Sequence, residues 1–266
     1  MFSLQDVVRN TLHKPPFIVI HGGAGVGKTS FAATAPNAIF IPVEDGLGVL
    51  DVATFPEPKK AEEISMMMNT LLTQEHGYQW LVIDSMTAME KKIWTDLCTK
   101  TNSESIEEVG GGYGKGFTKT LEWVNKFIND LRYLREVKGM GIILIAHTKI
   151  KTINPPDKAS YDTYMLNVHD KIADFIHTQA DIVAYCELEA LVRKEDKGFG
   201  QEQGKIKETG NRVMHCYSSN RYTSKNRYKI TAPLPMDFNV LMQEIGKSIP
   251  QPVNTNTTTT EVQNHG

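Results

Sequence analysis

The sequence predicts an α/β protein: a mostly parallel central sheet with helices on both faces and an antiparallel C-terminal edge. Three observations predict it. Short apolar runs at Phe17–His21, Ala38–Val43, Trp80–Asp84, Gly141–Ala146 and Asp181–Cys186 suit strands buried on both faces. Helically spaced segments lie between them, clearest where Leu121, Val124, Phe127, Ile128, Leu131 and Leu134 recur, and that alternation argues for a parallel sheet covered by helices. After Glu187 the pattern turns polar and extended, as in Arg212–Tyr217 and Arg227–Ile230, which fits antiparallel edge strands.

The chain has 266 residues, enough for one large α/β domain or two small ones. Residues 1–16 read as a leader ending in Pro15-Pro16, and 17–246 as the domain. Asp237 is placed to cap a last helix that runs to about Ile245. Residues 247–266, rich in Thr, Asn, Gln and Pro, read as a disordered tail. The formal net charge of −2 predicts no general attraction to nucleic acid. Cys98, Cys186 and Cys216 are widely spaced, which argues against a disulfide framework or a zinc site and fits a reducing compartment. Met1 to Lys14 lacks an apolar signal core, and no run approaches the roughly 18 apolar residues of a membrane span. The expectation is a cytoplasmic protein without a membrane partner.

The eight residues Gly22, Gly23, Ala24, Gly25, Val26, Gly27, Lys28 and Thr29 match the phosphate-binding pattern G-x-x-x-x-G-K-[ST]. With Ser30 they form the candidate nucleotide-binding set. An apolar strand precedes them, and a short helix stopped by Pro36 follows, which is the context the motif needs. Glycines let backbone N–H groups turn inward around a polyphosphate, and the helix start adds partial positive charge. Lys28 would reach the β- and γ-phosphates, and the Thr29 hydroxyl would bind Mg²⁺.

Three further strand ends carry polar groups. Trp80–Ile83 leads into Asp84-Ser85, where a strand-end carboxylate would face the phosphate loop and hold the Mg²⁺ shell; capping the next helix is the other reading. Ala38–Val43 leads into Glu44, either the base for a water attacking the γ-phosphate or part of a solvated turn. Ile142–Ala146 leads into His147, either a γ-phosphate sensor or a histidine satisfied by backbone.

In this order the strand ends resemble those of RecA-like ATPases. The segments Ile39–Leu47 and Ile142–His147 look like the RecA stretches that carry its glutamate and its glutamine sensor. The chain is most similar to phage-encoded RecA-like nucleotide-binding proteins, some of which are single-strand annealing recombinases. The resemblance rests on Gly112-Tyr113-Gly114-Lys115-Gly116, on Tyr161-Asp162-Thr163-Tyr164 as a turn before a helix, on Ala180–Val183, and on Lys225-Asn226-Arg227-Tyr228; it covers about residues 14–246. It departs at Thr163, where the group commonly has arginine, and at His147, where RecA has glutamine.

The resemblance implies ATP and Mg²⁺ as ligands, single-stranded DNA as a partner, a ring or filament of identical subunits, and host cytoplasm if the protein is phage-encoded. It implies that Lys225 and Arg227 reach a neighbouring subunit's ATP site; the residues alone allow two solvated surface cations. It also implies that two loops, about Ser103–Thr118 and Thr148–Leu166, line a DNA channel. Tyr113, Lys115, Lys119, Lys149, Lys151 and Lys158 are the DNA candidates there, since lysines pair with phosphates and aromatics stack on bases. Lys115 to Lys158 holds nine Lys/Arg against four Asp/Glu, a modest bias about half of which lies on a helix over 118–137, where a charged face is usually just solvated. A single-strand-binding protein is a further candidate partner for the tail.

Four functions compete: a recombination ATPase, a helicase-like motor, a small-molecule kinase and a non-hydrolysing nucleotide switch. The kinase is disfavoured because no arginine lies between the phosphate loop and Asp84 to build a lid. The motor is disfavoured because only about twenty residues precede the loop.

Overall fold

The computed structural model of the protein describes residues 3–6, 14–196 and 202–249. Leu4–Asp6 form a 3-10 turn. The parallel strands are β1 (Phe17–Gly22), β2 (Ala38–Pro42), β3 (Ala53–Thr54), β4 (Trp80–Asp84), β5 (Gly141–Ile153) and β7 (Ile182–Asp196). The antiparallel strands are β6 (Tyr161–Leu166), β8 (Glu202–His215), β9 (Lys225–Asn226) and β10 (Leu234–Pro235). The helices are α1 (Lys28–Ala33), α2 (Ala61–Thr73), α3 (Met86–Thr101), α4 (Lys115–Glu136), α5 (Asp170–Gln179) and α6 (Phe238–Lys247). The sheet runs β10-β8-β7-β1-β5-β4-β2-β3, with β6 on β5 and β9 on β7. This is a P-loop NTPase fold: a mostly parallel sheet with an antiparallel C-terminal edge.

Side chains alternate across the strands because the strand period is two. Phe17 and Val19 of β1 face a core with Ile142 and Leu144 of β5, covered by α2, α3, α4 and α5. Ile18 and Ile20 face the opposite core with Ile143 and Ile145, covered by α1 and α6. All six residues of β1 are buried. That is why the central strands read as unbroken apolar runs rather than as an alternation.

Register sets what meets at the C-terminal ends of the strands. Gly22 lies opposite His147 on one side and Cys186 on the other, and Pro42 lies opposite Asp84. The end of β1 therefore stands between His147 of β5 and Cys186 of β7, with the ends of β4 and β2 following in order beyond β5.

The other end of the sheet is tied by Asp181. Its Oδ2 accepts from Phe17 N at 2.9 Å and from Arg135 Nη2 at 2.5 Å. Its Oδ1 accepts from Arg227 Nη1 at 2.9 Å. Arg135 also donates from Nε to the Pro15 carbonyl at 2.8 Å. One buried carboxylate thus joins the start of β1, the end of α4 and the segment after β9.

Several sequence expectations change here. The expected loop Thr148–Leu166 is an antiparallel hairpin, with Thr148 opposite Leu166 and Ile153 opposite Tyr161. Tyr161–Tyr164 belongs to β6 and is not a turn, since the alternating Thr148, Ile150 and Thr152 extend β5 and supply it with a partner. Within Ser103–Thr118 the loop ends at Gly114, where α4 begins. Of Arg227–Ile230, none is strand; only Lys225 and Asn226 pair with β7. Helix α6 ends at Lys247, and Ile249 packs against the core that this helix covers. The rest of the expected tail, 250–266, and most of the expected leader lie outside the described residues.

Removing one partner of a buried ion pair leaves uncompensated charge, at a cost of about 3 kcal/mol or more. Asp181→Ala should lower the urea unfolding free energy by that order. Arg227→Ala, at a half-exposed partner, should lower it by less than about 1 kcal/mol. Equal losses in the two variants would contradict the central place given to Asp181.

Candidate functional site

The loop after β1 turns back over the sheet edge. Gly27, with φ +97°, sits in the left-handed region that a side chain would strain, and α1 starts at the next residue. Lys28 is buried, and its Nζ donates to the carbonyls of Gly22 at 2.9 Å and Gly23 at 2.8 Å. Burial lowers the pKa of Lys28, against the pull of Cys186, Asp84 and Glu44.

Asp84 ends β4, and its Oδ2 accepts from Thr29 Oγ1 at 2.7 Å. The cap of α3 is the next residue: Ser85 Oγ accepts from Ala88 N at 3.2 Å. The division of labour leaves the Asp84 carboxylate facing the loop. Burial raises the pKa of Asp84; the Thr29 hydrogen bond opposes this, and the Glu44 charge adds to it. The pair offers two hard oxygens. Mg²⁺ keeps most of its waters and takes only one or two protein oxygens beside substrate phosphates, so Thr29 and Asp84 fit it.

Glu44 follows β2, whose turn is fastened by Val43 N donating to the Asp84 carbonyl at 2.6 Å. Glu44 Oε1 is 2.8 Å from His147 Nε2. His147 is itself oriented from behind, its backbone N–H donating to Thr87 Oγ1 at 3.0 Å. These side chains line one cleft of about 510 Å³ together with Gly25, Gly27 and Ser30.

The site has the parts of a nucleotide pocket, and one comparison agrees with it. A family profile described as an AAA domain matches residues 14–228. The chain belongs to the AAA domain family. A search of curated proteins found no match. The family is one of P-loop ATPases, and the AAA domain of this chain spans every element from β1 to the segment after β9. Nucleotide and, as a rule, Mg²⁺ are what such a domain uses.

Other candidates lie elsewhere in this AAA domain. Lys225 and Arg227 sit at the opposite end of the strands. Lys225 Nζ donates to the carbonyls of His177 at 2.8 Å and Thr178 at 2.9 Å, and Arg227 pairs with Asp181. The structure does not bring either to the cleft of the same chain. Tyr113, Lys115 and Lys119 are exposed around the start of α4. Lys158 is exposed in the turn between β5 and β6. Lys149 and Lys151 are half-buried and paired with Asp170; Lys149 also donates to the Val168 carbonyl at 2.7 Å. Their charge is spent within the chain, which sets them apart from the other lysines.

Two groups escaped the sequence reading. Arg212 of β8 lies against Gly27 and lines the cleft. No local signal marks it, because only the pairing of distant strands carries it there. His21 is fully buried under the loop, bonded through Nδ1 to Thr148 Oγ1 at 2.9 Å and through Nε2 to the Thr223 carbonyl at 2.7 Å. Burial lowers its pKa to about 4.

The base of the β5–β6 hairpin is joined to α3 and α4. The Phe117 and His169 rings stack with centroids 4.3 Å apart, and Trp94 meets Phe117 edge-on at 5.7 Å. His169 N donates to Glu90 Oε1 at 2.7 Å. Among the described residues, no helix is long and apolar enough to cross a membrane.

Burial raises the Glu90 pKa from 4.5 to about 7, against the His169 hydrogen bond and Lys149. A raised folded-state pKa means that protonation favours the fold. The contribution is complete below pH 4.5 and is lost as the pH rises through 7. Glu90→Gln should remove this dependence. The stability of the natural protein minus that of the variant, from urea unfolding, should grow by about 2 kcal/mol between pH 8 and pH 5. A difference that stays constant with pH would contradict a buried, protonatable Glu90.

Proposed function

We propose that the protein binds ATP with Mg²⁺, hydrolyses it, and uses the cycle to act on single-stranded DNA in phage-type recombination or annealing. The observation that carries the hydrolytic part is the convergence in one cleft of the Thr29–Asp84 pair at 2.7 Å and the Glu44–His147 pair at 2.8 Å. The first pair suits a metal–phosphate complex. The second sets a carboxylate just after β2 beside a ring nitrogen of β5, across the end of β4.

The chemistry follows from those groups. Lys28 neutralises charge on the β- and γ-phosphates, and the backbone from Gly22 to Ser30 cradles them. Mg²⁺ held by Thr29 and Asp84 would offset the negative charge of the phosphate oxygens. Glu44 orients a water and takes its proton as the water oxygen bonds to the γ-phosphorus. The bond from phosphorus to the β–γ bridging oxygen breaks, and ADP leaves with that oxygen. His147 bonds Glu44, so any change in Glu44 during the cycle is felt at the start of the extended part of β5.

The DNA part rests on placement and on resemblance to RecA-like phage proteins. The β5–β6 hairpin and the glycine-rich approach to α4 are joined through the Phe117–His169 stack. Exposed Tyr113, Lys115, Lys119 and Lys158 on these elements supply stacking and phosphate contacts that need no base sequence. A homo-oligomer with ATP sites shared through Arg227 belongs to the same proposal, as does a single-strand-binding protein as partner.

The test is steady-state ATP hydrolysis with and without single-stranded DNA over a salt series. Stimulation by DNA that fades as salt rises is the expected result. Glu44→Gln should keep nucleotide affinity and lower turnover by about 100-fold. Turnover indifferent to DNA would remove the recombination reading. Turnover unchanged in Glu44→Gln would remove Glu44 as the base and leave a nucleotide switch as the better reading.

A further inference from the structure

We propose that Arg212 binds the α- and β-phosphates of the nucleotide from within the same chain. The inference deepens the nucleotide reading of the cleft and rests on it. Arg212 belongs to β8, and β7 separates that strand from β1. Its guanidinium nevertheless lies on the phosphate loop. A Cβ built on Gly27 would stand 3.3 Å from Arg212 Nη1 and 3.4 Å from its Cζ. The side chain is exposed, lines the cleft of Lys28, Thr29 and Asp84, and has no hydrogen-bond or ion-pair partner among the described residues.

The strand carries a device that aims this side chain. Register between β7 and β8 breaks beside Arg212: Leu188 faces Arg212, but Ala190 faces Glu208, so Glu189 stands against the three residues 209–211. Gly210 takes φ +79° inside this bulge, a conformation that favours glycine. Glu189 Oε2 fastens it, accepting from Thr209 Oγ1 at 2.9 Å and Asn211 Nδ2 at 3.0 Å. Bulges bend a strand and redirect the side chains beside them. On the far side, Met236 N donates to the Arg212 carbonyl at 3.0 Å, which pins the backbone at that residue.

Position selects the phosphates. Gly27 immediately precedes Lys28, in the stretch whose backbone N–H groups cradle the α- and β-phosphates. A guanidinium there can fork onto their non-bridging oxygens. The contact needs no second subunit, unlike the role the family resemblance gives Arg227. It is made with ADP as well as ATP, because both carry these phosphates.

The experiment is calorimetric titration of ADP and of ATP, with Mg²⁺, into the full chain as the natural protein, Arg212→Ala and Arg212→Lys. Arg212→Ala should weaken both nucleotides alike, by about tenfold or more. Arg212→Lys keeps the charge and the stem but loses the fork, and should fall between the two. ADP affinity within about twofold of the natural protein in both variants would overturn the inference, including the case where only ATP is affected. Should the alanine variant fail to fold, the lysine variant decides by the same criterion. Failure of the natural protein to bind either nucleotide would instead overturn the P-loop reading itself.

Discussion

The 2.7 Å hydrogen bond from Thr29 to Asp84 is the constraint on which the site depends. It joins the start of α1 to the end of β4, yet β1 and β4 are not neighbours: β5 lies between them. The two residues meet only if β5 is inserted in register and its end rises beside the phosphate loop. Insertion puts His147 opposite Gly22. From β4, the next strand outward is β2, which brings Glu44 within reach of His147. One strand order thus delivers four side chains, from segments more than a hundred residues apart, to one cleft.

The same sheet has a second fixed point at its other end. Asp181 ties β1, α4 and the segment after β9, and it holds Arg227 there. The nucleotide cleft and Arg227 therefore sit at opposite ends of the strands. Between them, buried His21 links the strand under the loop to Thr148 of the hairpin and to the carbonyl of Thr223. Changes at the phosphate loop have a short packed route to the elements proposed to touch DNA.

The central strands were legible because burial on both faces leaves plain apolar runs. The phosphate loop was legible because its glycines and Lys28 have few other uses in that order. The extensions beyond the core were not. Residues 148–153 and 161–166 pair outside the buried sheet, so their polar alternation resembles a loop until a partner strand is known. The pairing of Lys149 and Lys151 with Asp170 was hidden for the same reason, since it depends on how the hairpin meets α5. Arg212 was invisible as a site residue because a bulge opposite Glu189, rather than any motif, turns it to Gly27.

Nucleotide binding in this cleft would depend on the phosphate loop and its Lys28. Equilibrium titration of ATP with Mg²⁺ into the natural protein and into Lys28→Ala tests it most directly. The natural protein should bind saturably and Lys28→Ala about 100-fold or more weakly, because the nucleotide's phosphates then face the loop without their ammonium partner. Equal affinities for the two proteins would contradict it.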